Sequence, residues 1–265
     1  MKKFVHDFSV AINRPINKDH VILDLLCKES LPLILPGQFA EVKVDHSPQT
    51  FLRRPLSIHN VDYEKNTLSL LIQKKGEGTQ RLAELKVGDT LNMVYPLGNS
   101  FTLVSNKKAL LVGGGCGIAP LLFLAKKLVE AGTEVSILMG GKTQSHIMEA
   151  EAYQTYGELL VTTEDGSMGK KGFVIHHPIW WEKKPDFDWI YTCGPDPMMK
   201  AIAKLAYKFQ IPCEVSLEQT MACGIGACLC CVVDTIHGNK CTCTEGPVFD
   251  YTTLKGWLPE DKRSE

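Results

Sequence analysis

The sequence has no surplus of charge of either sign. Its 29 lysines and arginines stand against 30 aspartates and glutamates, a formal net charge of −1, so no field draws in nucleic acid or an anionic membrane. Long apolar runs are missing too. None reaches the roughly 18–20 residues that a bilayer-spanning helix needs, and the opening MKKFVHDFSV lacks the apolar core of a signal peptide. These absences lead us to expect a soluble, cytoplasmic protein with no nucleic-acid or membrane partner. Internal repeats and low-complexity linkers are also lacking, so the 265 residues are expected to form two compact domains, with room for a small appendage.

Cysteine, by contrast, is plentiful. Of ten, six fall between Cys223 and Cys243. A secreted protein usually spreads its cysteines as a disulfide framework, whereas clustering in a reducing compartment points to metal. Cys223, Cys228 and Cys231 follow C-x4-C-x2-C, the ligand spacing of plant-type 2Fe-2S ferredoxins, which take a more distant fourth thiolate. Gly224, Gly226 and Ala227 are small enough for backbone N–H groups to approach cluster sulfides. On spacing alone Cys241 and Cys243 both qualify as the fourth ligand, and Cys230 competes with Cys231. A four-cysteine zinc site is a poorer match, since it usually uses two C-x2-4-C pairs. Cys27 and Cys213 read as ordinary core thiols.

Along the chain, residues 1–102 read as short strands separated by turns at Pro36-Gly37, Gly76, Gly88-Asp89 and Pro96, which predicts a small antiparallel β-barrel. From residue 103 to about 213 the texture changes. An apolar strand, a glycine turn, an amphipathic helix and a second apolar strand form a βαβ unit, and ELLVTTED, WIYTCG and PDPMMKAIAKLAYKF continue the alternation. A parallel sheet flanked by helices is expected there. Residues 214–265 carry the cysteine cluster as a small C-terminal subdomain.

Three further stretches carry candidate chemistry. In LLVGGGCGIAPLL a strand runs into Gly113, Gly114, Gly115 and Gly117, with Pro120 placed to begin a helix, so that backbone N–H groups and a helix N-terminus face a pyrophosphate. Ile118 stands where the dinucleotide fingerprint has its third glycine, and EVSILMGG ends without the acidic residue that holds an adenosine ribose. Both departures argue against an ordinary dehydrogenase. YTCGPDPMM places Cys193, Gly194 and Pro195 at the carboxyl edge of the sheet, where open α/β folds bind ligands. In FLRRPLSIHN, Arg54 is suited to clamp a phosphate and Ser57 to hydrogen-bond a flavin ring, although the stretch taken alone also reads as a solvated charged edge. Gly76, Gly78 and Thr79 offer either a second phosphate turn or a simple helix cap.

Taken in order, RRPLSI, KGEGT, GGGCGIAPL, CGPDPMM and CGIGACLCC…CTEGPVF resemble the ferredoxin-reductase superfamily with a 2Fe-2S extension. Within it, the resemblance is to the electron transfer subunits of dihydroorotate dehydrogenase B, over nearly the whole chain. It implies FAD held by Arg54, Pro55, Leu56, Ser57, Leu71, Ile72, Gln73, Gly78 and Thr79. It implies NAD(H) at Gly113, Gly114, Gly115, Gly117, Cys193, Gly194 and Pro195, and a 2Fe-2S cluster on Cys223, Cys228, Cys231 and Cys243. Cys230 and Cys241 depart from the family pattern. The implied function is an NAD-dependent flavin and iron-sulfur oxidoreductase subunit in pyrimidine (UMP) biosynthesis, with no general acid or base of its own. It would exchange electrons between NAD+ and an FMN-containing catalytic subunit that oxidises dihydroorotate, with two copies of each subunit. The same cofactors would also serve a sulfide dehydrogenase, ferredoxin:NADP+ oxidoreductase or hydrogenase complex, although RRPLSI weighs against these. A zinc-bearing interaction module on a nucleotide-sensing fold is the non-enzymatic alternative.

Overall fold

Alternation of apolar and polar residues along six strands builds the first half of the chain. The computed structural model describes residues 2–182 and 185–258; the last seven positions of the expected third region, 259–265, lie outside the described residues. Strands β1 (Phe4–Asn17), β2 (His20–Cys27), β3 (Phe39–Val42), β4 (Arg54–Asp62), β5 (Thr67–Gln73) and β6 (Thr90–Leu97) close into a barrel in the order β1-β2-β5-β4-β3-β6. Every pairing in it is antiparallel, and closure leaves no open sheet edge. On β1, Phe8 and Val10 are buried while Val5 and Asp7 are exposed. The interior is filled by Phe8, Leu23, Leu25, Leu70, Met93 and Tyr95. One short helix, α1 (Glu77–Ala83), follows β5.

The second half winds around a parallel sheet. Strands β7 (Lys108–Gly114), β8 (Glu134–Gly141), β9 (Glu158–Thr163), β10 (Lys170–Lys171), β11 (Trp189–Cys193) and β12 (Cys213–Ser216) alternate with helices α2 (Leu121–Glu130), α3 (Ala150–Gln154) and α4 (Asp196–Phe209). All of β7 beyond Lys108 is buried, as expected of a parallel strand covered on both faces. The helix read from Pro120 begins at Leu121 with Pro120 as its cap, but a 3-10 turn over Gly115–Ile118 separates it from the strand. The cysteine-bearing segment contributes a hairpin, β13 (Val232–Thr235) and β14 (Gly238–Cys241), and then β15 (Val248–Asp250). That last strand returns to the large sheet, pairing antiparallel with β12 in the order β10-β9-β8-β7-β11-β12-β15.

Barrel and sheet share buried contacts. Phe123 of α2 packs into the barrel core, and Ile22 and Leu71 of the barrel join the cluster beneath the sheet. Arg14 makes a two-pronged ion pair with Glu149 at 2.7 and 2.9 Å. His59 on β4 is buried, and its Nδ1–H donates to the Ala119 carbonyl at 2.8 Å, tying the barrel to the end of the glycine turn. Its Nε2 has no hydrogen-bond partner among the described residues.

Burial pushes the His59 pKa down, outweighing the Ala119 bond and the charges of Glu149 and Asp24, which favour the cation. The imidazole is therefore neutral in the fold. In the unfolded chain it protonates below its ordinary value of about 6.5, so stability is lost as pH falls through that value, by at most about 1.4 kcal/mol per pH unit. His59→Gln keeps a donor for Ala119 without the titration. Chemical denaturation across pH 5 to 8 should show the loss between pH 6.5 and 5 reduced by up to about 2 kcal/mol in this variant. An unchanged slope would mean that the site titrates normally.

Candidate functional site

All three regions of the chain open onto one cleft of about 240 Å³. The barrel lines it with Pro55, Leu56 and Ser57 of β4, Leu71 and Gln73 of β5, and Thr79 of α1. The glycine turn adds Cys116 and Ala119, and the last segment adds Ser216, Glu218 and Met221. Strand alternation explains the selection on β5: Leu71 and Gln73 face the cleft, whereas Ile72 between them is fully buried in the barrel core.

The two adjacent arginines have different surroundings. Arg53 is committed to the barrel, donating to the Glu41 and Asn92 carbonyls at 3.2 and 3.1 Å and to Asn92 Oδ1 at 2.6 Å. Arg54 lies over Gly78 at the start of α1, where a Cβ on Gly78 would come within 2.9 Å of the Arg54 Nε. The guanidinium donates to the Leu52 and Arg53 carbonyls at 2.9 and 3.2 Å. The Thr79 hydroxyl is engaged by the turn, accepting from the Lys75 and Gly76 N–H groups and donating to the Gly76 carbonyl.

At the carboxyl edge of the sheet the glycine turn and the Cys193–Pro195 turn lie side by side, with Gly113 paired to Cys193. Packing accounts for three of the glycines: a Cβ on Gly113 would sit 2.7 Å from the Ile118 Cγ2. A Cβ on Gly114 would sit 2.5 Å from the Met198 sulfur, and one on Gly117 would sit 2.5 Å from the Cys193 carbonyl oxygen. Gly115 is different: its φ is +56° and the space around it is open, so backbone conformation alone calls for glycine there. Burial pushes the Cys193 thiol well up, and burial together with Glu218 pushes Cys116 up to about 12. Both are neutral thiols at physiological pH. Glu218 is itself pushed up by burial, against the opposing pull of Lys75.

The cysteine-rich loop presents the opposite chemistry. Backbone N–H groups of Ile225, Ala227 and Cys228 point at the Cys223 sulfur at 3.5, 3.3 and 3.4 Å, and the Cys243 N–H points at the Cys231 sulfur at 3.4 Å. Burial pushes the Cys223 pKa up, but these N–H groups and the Cys228 side chain bring it down to about 6, as donors do for a sulfur held as thiolate. Cys243 is buried and receives a backbone N–H from Gly226. Cys241 also lies near Cys231, though its own N–H goes to the Glu245 carboxylate at 2.9 Å. Cys228 and Cys230 are exposed. Beneath the loop, Gly224 (φ +66°) rests on Glu41, whose γ-carbon lies 2.5 Å from where a Cβ would be. Glu41 is buried with no hydrogen-bond partner for either oxygen among the described residues, and burial holds its pKa at about 7.

Sequence reasoning missed Cys116, Ala119, Glu218 and Met221 as cleft residues. Position was the available signal, since Cys116 and Ala119 follow the first glycines and Glu218 and Met221 directly precede the cysteine loop.

Residues 8–101 match the oxidoreductase FAD-binding domain and residues 111–204 the oxidoreductase NAD-binding domain. Residues 218–255 match the iron-sulfur cluster binding domain of dihydroorotate dehydrogenase B. The chain is 42% identical over 218 residues to the dihydroorotate dehydrogenase B (NAD(+)) electron transfer subunit of Caldanaerobacter subterraneus subsp. tengcongensis, covering 81% of this chain and 84% of the relative. It is 38% identical over 249 residues to the subunit of the same name from Geobacillus sp. strain WCH70, covering 91% and 95%. A chain of the NADH-dependent reduced ferredoxin-NADP oxidoreductase superposes with a TM-score of 0.83 at 32% identity, covering 92% of this chain and 87% of that one. The flavohem-like FAD/NAD binding domain of nitric oxide dioxygenase from Vibrio cholerae, at 17% identity and a TM-score of 0.66 over 79% of this chain and 98% of that one, shares the fold.

The cysteine segment is fastened by Asn99, which follows β6. Its Nδ2 donates to the Glu245 and Val248 carbonyls at 2.9 and 2.8 Å, and its Oδ1 accepts from the Val248 N–H at 3.0 Å. Asn99→Ala removes three hydrogen bonds worth about 0.5–1.5 kcal/mol each. We expect faster iron loss from the loaded protein to a ferrous chelator, with flavin retained. Unaltered iron loss would show that the clamp does not hold the loop.

Proposed function

Because the chain belongs to the family of dihydroorotate dehydrogenase B electron transfer subunits, we propose that the cleft shared by its three regions is where electrons pass between NAD(H) and the cysteine loop. When bound, FAD and a 2Fe-2S cluster supply the exchange between two-electron hydride chemistry and single-electron steps. The chain carries binding domains for FAD, NAD and the iron-sulfur cluster.

The observation that carries the reading is the convergence of barrel, glycine turn and cysteine segment on a single cavity. Residues 1–102 hold FAD, 103–213 hold the nicotinamide dinucleotide, and 214–265 hold the cluster. Ser57, with Pro55 and Leu56, holds the flavin ring from β4, while Leu71 and Gln73 flank it with side chains and Ile72 contributes only its backbone. Arg54 over Gly78 and Thr79 takes the pyrophosphate, a pairing supported by the close approach that only glycine permits. Gly113, Gly114, Gly115 and Gly117, with Cys193, Gly194 and Pro195, seat the nicotinamide dinucleotide. The neutral thiols of Cys116 and Cys193 add no charge beside a hydride path.

The donor set fits an iron-sulfur group, combining thiols with backbone N–H groups aimed at sulfur. Cys223, Cys228, Cys231 and Cys243 are its ligands; the Cys243 N–H donated to the Cys231 sulfur and the Gly226 N–H directed at the Cys243 sulfur support Cys243 over Cys241. Exposed Ile225 and Leu229 lie within the loop, between its ligands, and face the partner. The family name implies a catalytic partner subunit, which we take to be the FMN-containing subunit that oxidises dihydroorotate, two copies of each forming the complex in the cytoplasm. No helix among the described residues is long and apolar enough to cross a membrane.

The test is an anaerobic absorption spectrum of the protein co-expressed with that subunit, before and after NADH and, separately, dihydroorotate. Bleaching of flavin and iron-sulfur bands by both reductants is expected. Bleaching by NADH alone would move the chain to another complex, and a colourless zinc protein would overturn the reading. Within the loop, Cys243→Ser should lose the cluster signal, whereas Cys241→Ser should keep it; the reverse pattern would reassign the fourth ligand.

A further inference from the structure

Strand β1 turns a histidine onto the face it shares with Phe4, Phe8 and Val10. At that end of the barrel the His6 Nδ1 lies 3.0 Å from the Tyr95 hydroxyl and 3.7 Å from the Cys27 sulfur. The same sulfur is 3.6 Å from a Glu29 carboxylate oxygen and 3.8 Å from the Tyr95 hydroxyl. The nitrogen, sulfur and carboxylate oxygen all lie within 4.8 Å of one another. None of these residues lines the cleft, and none belongs to the cysteine loop.

We propose that His6, Cys27 and Glu29 form a binding site for one zinc-class divalent cation. A tetrahedral zinc ion with bonds of about 2.3 Å to sulfur and about 2.0–2.1 Å to nitrogen and oxygen holds its ligand atoms about 3.4–3.6 Å apart. The two sulfur separations are already close to that. Glu29 is exposed, so its carboxylate closes on His6 by turning about its own bonds, and the Tyr95 oxygen or a water takes the fourth position.

The donor set is one thiolate, one imidazole and one carboxylate. It suits zinc and disfavours magnesium and calcium, which take oxygen ligands. Binding releases the Cys27 thiol proton to solvent. The dication with a thiolate, a carboxylate and a neutral imidazole then sums to zero charge, which a half-buried site tolerates far better than an unpaired ion.

The backbone around the site is already fixed. Asn66 donates from Nδ2 to the Cys27 and Glu29 carbonyls at 2.7 and 2.8 Å, pinning the turn that carries both ligands. The His6 ring is held edge-on to Tyr95, with centroids 5.8 Å apart. Cys27, which sequence reasoning placed among ordinary core thiols, is therefore the centre of a mixed donor cluster.

The test uses the full chain, loaded with its cluster and flavin and dialysed anaerobically against micromolar Zn2+, followed by metal analysis and zinc-edge X-ray absorption. About one bound zinc per chain is expected, with one sulfur and two or three lighter ligands. Cys27→Ser and His6→Gln should each lower bound zinc at least about tenfold without changing iron content, flavin content or flavin reduction by NADH. No zinc on the wild-type chain would leave only a hydrogen-bonded network and overturn the proposal. Zinc retained in both variants, or a shell of three or four sulfurs, would place the metal on the cysteine loop and overturn it equally.

Discussion

The architecture depends on how the cysteine segment is returned to the body of the protein. Asn99 supplies three side-chain hydrogen bonds to Glu245 and Val248, its own N–H donates to the Gly246 carbonyl at 2.6 Å, and the Leu217 N–H donates to the Pro247 carbonyl at 2.8 Å. Gly98 beside it has no room for a side chain, since a Cβ would sit 2.5 Å from Pro247. Those bonds let β15 pair with β12 and bring barrel, sheet and cysteine loop around one cavity. Without this return, the loop would be an appendage on a two-domain protein and the cleft would lose the wall formed by Glu218, Met221 and Pro247.

The same residue type serves opposite ends within this frame. Cys116 and Cys193 are held protonated because burial penalises the thiolate. In the exposed loop, backbone N–H groups converge on the Cys223 sulfur and favour its anion. Cysteine chemistry is thus set by the local supply of hydrogen-bond donors and solvent, and the backbone turns around Gly224 (φ +66°) and Gly226 (φ +84°) create that supply.

Much of this was legible in the sequence. Period-two alternation gave the six barrel strands, with HVILDLLC matching β2 end to end, and the apolar run before the glycines gave β7. The family followed from five motifs in order. The last strand was harder to see. Val248–Asp250 has three residues, too few to show a period, and it joins the sheet through a pairing 30 or more positions distant in the chain. Side-chain direction was also hidden: the motif names Leu71, Ile72 and Gln73 together, yet the pleat sends Ile72 into the barrel core. Nothing in their spacing linked His6, Cys27 and Tyr95, because only barrel closure brings β1, β2 and β6 together.

The central claim is that electrons reach the cysteine loop only through the cleft. The most direct measurement is rapid anaerobic mixing of NADH with the cofactor-loaded chain, following flavin absorption and the EPR signal of the cluster, in intact protein and in protein stripped of flavin. The account predicts flavin bleaching first, the cluster signal second, and no cluster reduction on that timescale without flavin. Cluster reduction at an undiminished rate in the stripped protein would contradict it.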